Sequence, residues 1–194
     1  MILLRHCQSE FNLHFTRTRR DPGLVDPGLT EGGLAQAAAA ADALCSGERI
    51  GRIVVSPYRR ALQTAAPIAA RLGLGVTVTS LVRERYAFAC DIGSPPAALQ
   101  RDWPAIDFSG LGETWWHDGT LGPDNKPARE SEESVIARAA SFRDQMARAP
   151  DRAETLLVSH WGFLLALTGR SLENGQWLAI DPTVPLDGPI VWQH

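Results

Sequence analysis

The chain has 194 residues, 44% of them hydrophobic and 21% charged, with a net charge of −3 and a pI of about 5.9. That length supports one domain, residues 1–194, with a substantial core. The mildly acidic balance excludes the basic face of a nucleic-acid binder, and no apolar run approaches the ~20 residues that cross a membrane.

Met1–Leu4 reads as a short buried strand that stops at the charged pair Arg5-His6. Arg17, Arg19 and Arg20 then form a basic cluster, either a solvated loop or a rim that steers anions. Thr30 to Leu44, with its alanine run 37–41, predicts a helix ending near Ser46-Gly47. Ile53-Val54-Val55 is a second buried strand. Ser56-Pro57 has the form of an N-cap and first helical residue, opening a helix to about Leu72. Ala61, Ala65, Ile68 and Leu72 recur there at helical spacing, and Gly73-Leu74-Gly75 closes it before a third strand, Val76–Val78.

Residues 85–129 are rich in Pro, Gly and Trp and weakly periodic, so loops, short helices and a small lid are expected there. Within this segment Trp115-Trp116-His117 either caps a pocket or packs on the domain. Ser131 to Ala149 is an amphipathic helix with Val135, Ala139, Phe142 and Met146 on one face. Thr155–Val158 is a fourth strand, Trp161–Thr168 a helix, and Ile190–Trp192 a candidate last strand. Strands that alternate with helices predict a three-layer α/β/α sandwich around a mostly parallel sheet.

Cys7, Cys45 and Cys90 are odd in number and fit no zinc spacing. They read as free thiols of a cytoplasmic protein. None is followed by an arginine six residues on (Leu13, Gly51 and Pro96 stand there), so none is the nucleophile of a tyrosine-phosphatase loop.

Three strand ends concentrate chemistry. One ends in Arg5-His6, another in Ser159-His160, and a third leads within four residues of Ser56 to Arg59-Arg60. Open α/β sheets place ligands at such carboxyl edges. Two histidines with two or more arginines suit a phosphoryl group: arginine grips phosphate bidentately, a neutral imidazole can attack phosphorus, and a second can stabilise the developing charge.

These residues carry a resemblance to the histidine phosphatase superfamily, the group that includes cofactor-dependent phosphoglycerate mutases. Its Leu-x-Arg-His-Gly-x-[Ser/Thr]-x-x-Asn motif is matched by Leu3 to Asn12, and its Asp-x-x-Leu-Thr-x-x-Gly box by Asp26 to Gly33. Ser-x-x-x-Arg-Ala-x-x-Thr-Ala is matched by Ser56 to Ala65, which selects Arg60 over Arg59. Glu130-Ser131 with Arg138, and Ser159-His160-Trp161-Gly162, complete the order.

The resemblance implies a phosphoglycerate mutase-like fold and a metal-independent phosphomonoester hydrolase acting through a phosphohistidine. His6 would be the nucleophile, with Arg5, Arg60 and His160 around the phosphoryl oxygens and Asn12 and Ser9 assisting. Glu84 would be the general acid, with Asp91 and Glu113 as fallbacks. No metal or other cofactor is expected, and the partner would be a small phosphorylated substrate of a monomer or homodimer. A mutase and a catalytically impaired phospho-ligand binding protein are the alternatives.

Cys7 and Trp161 stand where the family usually has glycine; Cys7 is expected beside bound phosphate, and Trp161 either fills the core or walls the substrate. Cys7, next to Arg5, is further expected to favour its thiolate and to be the most reactive of the three cysteines.

Overall fold

Five strands form one sheet in the computed structural model, which describes residues 1–186, 188 and 190–192: β1 (Ile2–Arg5), β2 (Arg52–Val55), β3 (Val76–Val78), β4 (Thr155–Ser159) and β5 (Trp177–Ala179). Their order is β3-β2-β4-β1-β5; the first four are parallel, and β5 runs antiparallel along the β1 edge.

Side chains of a strand alternate between faces, and the core divides accordingly. Ile2 and Leu4 of β1, Ile53 and Val55 of β2, and Leu156 and Val158 of β4 join one apolar cluster. Leu3, Val54 and Leu157 join the other. On the first face lie α2 (Glu31–Gly47) and α3 (Arg59–Leu72), which contribute Ala41, Leu44, Ala61, Leu62, Ala65 and Ile68. On the second lie α5 (Glu132–Arg148) and α6 (Trp161–Thr168), which contribute Val135, Ala139, Phe142, Met146, Phe163 and Leu164. The result is the three-layer α/β/α sandwich. The sheet interior is apolar on both faces, which is why its central strands read as unbroken hydrophobic runs rather than alternating ones.

Two further helices are α1 (Glu10–Thr18) and α4 (Pro96–Asp102), whose Leu99 joins the first cluster. Ser9 caps α1: its hydroxyl accepts from the Asn12 N–H, while the Asn12 side chain accepts from the Ser9 N–H. Gly73, at φ +64°, closes α3.

Two expectations need correction. Helix α3 opens at Arg59, with Tyr58 in the capping position, and not at Ser56-Pro57. Ser56 is still tied to the sheet, its N–H donating to Val158 O, and Asp26 from a distant loop accepts from the Arg59 N–H instead. Ile190–Trp192 carry no strand; the edge beside β1 is taken by β5. Helix α1 and strand β5 were not expected at all. No helix among the described residues is long and apolar enough to cross a membrane.

Candidate active site

Register sets the floor of the site. Arg5 of β1 pairs with Ser159 of β4, so the next residues, His6 and His160, leave neighbouring strands at the same level. The His6 N–H donates to Ser159 O at 2.9 Å. The two imidazole rings stand 5.0 Å apart. Beside β4, Ser56 leaves β2, and its hydroxyl meets His160 Nε2 at 2.7 Å.

The protonation pattern of His6 follows from one contact. Its Nδ1 lies 2.7 Å from the Cys7 carbonyl oxygen, an acceptor only, so Nδ1 carries the proton and Nε2 carries the lone pair. Burial pushes the His6 pKa well below 6.5, and the Arg60 and Arg5 charges push the same way. His160 is lowered well below 6.5 by the same causes: burial first, then Arg60, His6 and Arg5. Near pH 7 both rings are neutral.

Two arginines flank this pair. Arg60 is buried and ion-paired to Asp91 at 3.3 Å. It donates to Cys90 O at 2.8 Å and stacks over the Tyr58 ring at 4.2 Å. Arg5 donates from Nη1 to Leu172 O. Arg5 Nε and His160 Nδ1 are both buried and have no hydrogen-bond partner among the described residues. Unpaired buried polar atoms are costly, and both of these can present an N–H to an anion.

A pocket of about 680 Å³ opens over His6, with Arg5, Arg60, Ser9, Asn12 and Glu84 in its wall. His160 is not in that wall; its ring lies fully buried between His6 and Tyr58. Arg59 points elsewhere, to Asp102 and Ser94. Asn12 gives its side-chain oxygen to the α1 cap, which leaves its NH₂ as the group it can offer a ligand.

The Glu84 carboxylate accepts from the Gly162 N–H at 3.0 and 3.2 Å and from the Arg85 N–H at 2.8 Å. A Cβ on Gly162 would come within 2.5 Å of Glu84 Oε1, so glycine is needed there for the carboxylate to reach the helix end. Asp91 also borders the pocket, but its oxygens are engaged by Arg60, the Ala87 and Phe88 N–H groups and Cys90 Sγ. Burial pushes Asp91 up to about 6 against the pull of Arg60. Glu113 is exposed and outside the pocket.

Several positioning residues escaped the sequence reading. Thr64 accepts from the Cys7 N–H and donates to Arg60 O, tying the loop after β1 to α3. Asn174 donates to both His6 O and Asn12 Oδ1. Ser56 and Thr64 stand inside recognised motifs, but Asn174 follows no motif, and only the fold brings it near.

The expectation for Cys7 changes, and the open readings of the tryptophans resolve. The Cys7 thiol is fully buried and lies outside the pocket, against Leu29 and Ala37. Burial pushes its pKa up to about 11, so it is neither a favoured thiolate nor a phosphate contact. What Cys7 gives the site is its backbone carbonyl. Trp161 does stand in the pocket wall, its indole N–H donating to Ser171 Oγ. Trp115 packs on Tyr58 and donates to Ser94 O, Trp116 packs on Trp115, and His117 packs on Tyr86; none caps the pocket.

Comparisons with known proteins place the chain in a family. The sequence profile of the histidine phosphatase superfamily (branch 1) matches residues 1–184. Glucosyl-3-phosphoglycerate phosphatase of Mycobacterium tuberculosis (strain ATCC 25618 / H37Rv) is 32% identical over 183 residues, covering 89% of this chain and 75% of its own. A solved structure of mycobacterial glucosyl-3-phosphoglycerate phosphatase with VO3 superposes with a TM-score of 0.62 at 28% identity, covering 91% of this chain and 88% of that one. From motif order, sheet and matched length together, the chain belongs to the histidine phosphatase superfamily and is by class a phosphatase, a hydrolase.

Proposed function

We propose that this chain hydrolyses small phosphomonoesters through a phosphohistidine formed on His6 Nε2. The observation that carries the reading is the Nδ1–Cys7 carbonyl bond, which leaves a neutral, buried imidazole with its lone pair on Nε2. A nucleophile needs that protonation state. The Nε2 lone pair attacks phosphorus and the bond to the ester oxygen breaks, with its electrons leaving on that oxygen. Water then attacks the phosphohistidine, its proton passing to the Glu84 carboxylate as the P–N bond breaks, returning the pair to Nε2 and releasing phosphate.

Arg5 and Arg60 hold the phosphoryl oxygens from the pocket wall, and His160 assists from behind His6; the unpaired Arg5 Nε and His160 Nδ1 support these roles. Preorganised donors of this kind stabilise charge that develops in the transition state. Asn12 adds its NH₂, and Ser9 stands beside it in the wall. Glu84 protonates the leaving oxygen; Asp91, with its oxygens engaged, serves to hold Arg60. Thr16, Arg19 and Arg129 line the pocket and are exposed, so water has access for the second step.

The test is rapid quenching after mixing with a phosphate ester labelled at phosphorus. Acid-labile, alkali-stable label is expected on the wild-type chain and none on His6→Ala. Label that survives in His6→Ala would remove His6 as the acceptor.

A further inference from the structure

Beyond the phosphoryl clamp, the pocket wall changes character. Phe11, Phe15 and Phe88 form one aromatic cluster there: Phe11 and Phe15 stack at 5.2 Å, and Phe88 tilts against them at 5.4 and 5.2 Å. Over this wall stand two cations. The Arg19 guanidinium lies 6.0 Å from the Phe15 centroid, and that of Arg129 lies 5.7 Å from the Phe88 centroid. Both arginines are exposed, line the pocket and pair with no carboxylate among the described residues. Arg85, the other outer arginine, is already bonded to Glu132.

The backbone holds Arg19 in place. It closes α1 at φ +53°, a left-handed position that glycine or asparagine occupies at less cost. Its neighbours Arg17 and Arg20 are exposed and outside the pocket, so the basic cluster divides: one member faces the site and two face solvent.

Resting on the phosphatase reading above, we propose that this outer wall is a subsite for the leaving group. It fits an alcohol with a flat apolar body, which lies on the Phe11–Phe15–Phe88 wall, and a second anionic group at its far end, which Arg19 and Arg129 hold. A carboxylate and a phosphate are equivalent in this chemistry, since guanidinium grips either bidentately. Substrates with a bare alkyl alcohol gain neither contact.

Binding of phosphonates tests the subsite without turnover. Methylphosphonate, benzylphosphonate and 4-carboxybenzylphosphonate are titrated by calorimetry into the wild-type chain, the Arg19→Gln/Arg129→Gln double variant and an Arg17→Gln/Arg20→Gln control. Affinity is expected to rise about tenfold or more at each step of the series in wild type and in the control. In Arg19→Gln/Arg129→Gln the second step is expected to disappear. A flat series in wild type, or a second step that survives in Arg19→Gln/Arg129→Gln, overturns the proposal. Hydrolysis of phenyl and 4-carboxyphenyl phosphate is measured alongside. No turnover of either, with the binding series intact, counts against the hydrolase reading and leaves the subsite standing.

Discussion

At the scale of single residues, the site works through small, buried contacts behind the groups that meet substrate. Ser56 is one of them: its hydroxyl is the partner of His160 Nε2 at 2.7 Å, and both residues are fully buried. In Ser56→Ala that nitrogen loses its partner and the ring its fixed orientation. Leaving a buried polar group unpaired costs on the order of 1–3 kcal/mol. If that cost falls on a transition state that needs His160 aligned, kcat falls by roughly ten- to a hundredfold with KM changed far less. Steady-state kinetics on one aryl phosphate check this. A change in KM alone would place His160 in ground-state binding instead. The two substituted glycines show how far a motif speaks for its residues. A motif records which residue type occupies a position and not where its side chain goes. Cys7 turns under the loop into an apolar niche, while Trp161 turns into the pocket.

At the scale of elements, the segment bearing Glu84 is held by the start of α5. Glu130, just before that helix, receives Arg138 through two bonds of 2.7 and 2.8 Å and Arg83 through one of 3.2 Å. Arg138 also donates to Leu81 O and Arg83 O, the backbone that leads into Glu84. Burial alone would raise the Glu130 pKa, but the bonds and charge of Arg138, with Arg83, outweigh it and the net shift is downward. Its stabilising contribution is therefore present above the ordinary 4.5 and lost as pH falls through and below that value. Removing one partner of a buried ion pair strands the others, at about 3–5 kcal/mol. Glu130→Ala is expected to lose that much in urea unfolding at pH 7, and less at pH 4. An equal loss at both would mean that packing, not charge, is what Glu130 supplies.

Legibility in the sequence also divides by element. Strands β1, β2 and β4 and helices α2, α5 and α6 were legible because their burial imposes long apolar runs or a clear helical stripe. Helix α1 was not: Glu10–Thr18 is mostly polar and aromatic, and its best signal, the Ser9–Asn12 capping box, was read as phosphate chemistry alone. Strand β5 has three half-exposed or exposed residues, too few for a period to appear. Ser56 and Pro57 look like a helix start, but β2 pairing and the bond to His160 hold the chain extended there.

At the scale of the whole molecule, the sheet edge gathers charges that the fold must tolerate. Asp91 is the clearest case, a buried carboxyl raised from 3.8 to about 6. A raised acid favours its neutral form, so its contribution to stability is fully present below 3.8 and lost as pH rises through about 6. The loss is on the order of 2–3 kcal/mol, at 1.36 kcal/mol per pKa unit. Urea unfolding of the wild-type chain and of Asp91→Asn at pH 5 and pH 7.5 separates this from other titrations. Asp91→Asn is expected to be the less stable at pH 5 and to lose less on going to pH 7.5. Equal pH slopes in the two chains would show that Arg60 keeps Asp91 ionised throughout.

Strand β1 carries the site's first arginine and histidine, yet its two sheet neighbours are β4 and β5. The Arg5–Leu172 and His6–Asn174 bonds that finish the pocket join residues 167 and 168 positions apart. During synthesis at ~5–20 residues per second, β1 therefore waits roughly eight to thirty seconds before β4 exists to receive it. No local contact can shorten that wait, and contacts of such range make folding slow. For all that time an apolar strand with unpaired edges is exposed to other chains, which is the condition under which aggregation competes with folding. His6 is thus made early and placed late, and a ribosome-bound chain that has not yet made β4 carries His6 without the His160 and Ser159 neighbours that surround it in the fold.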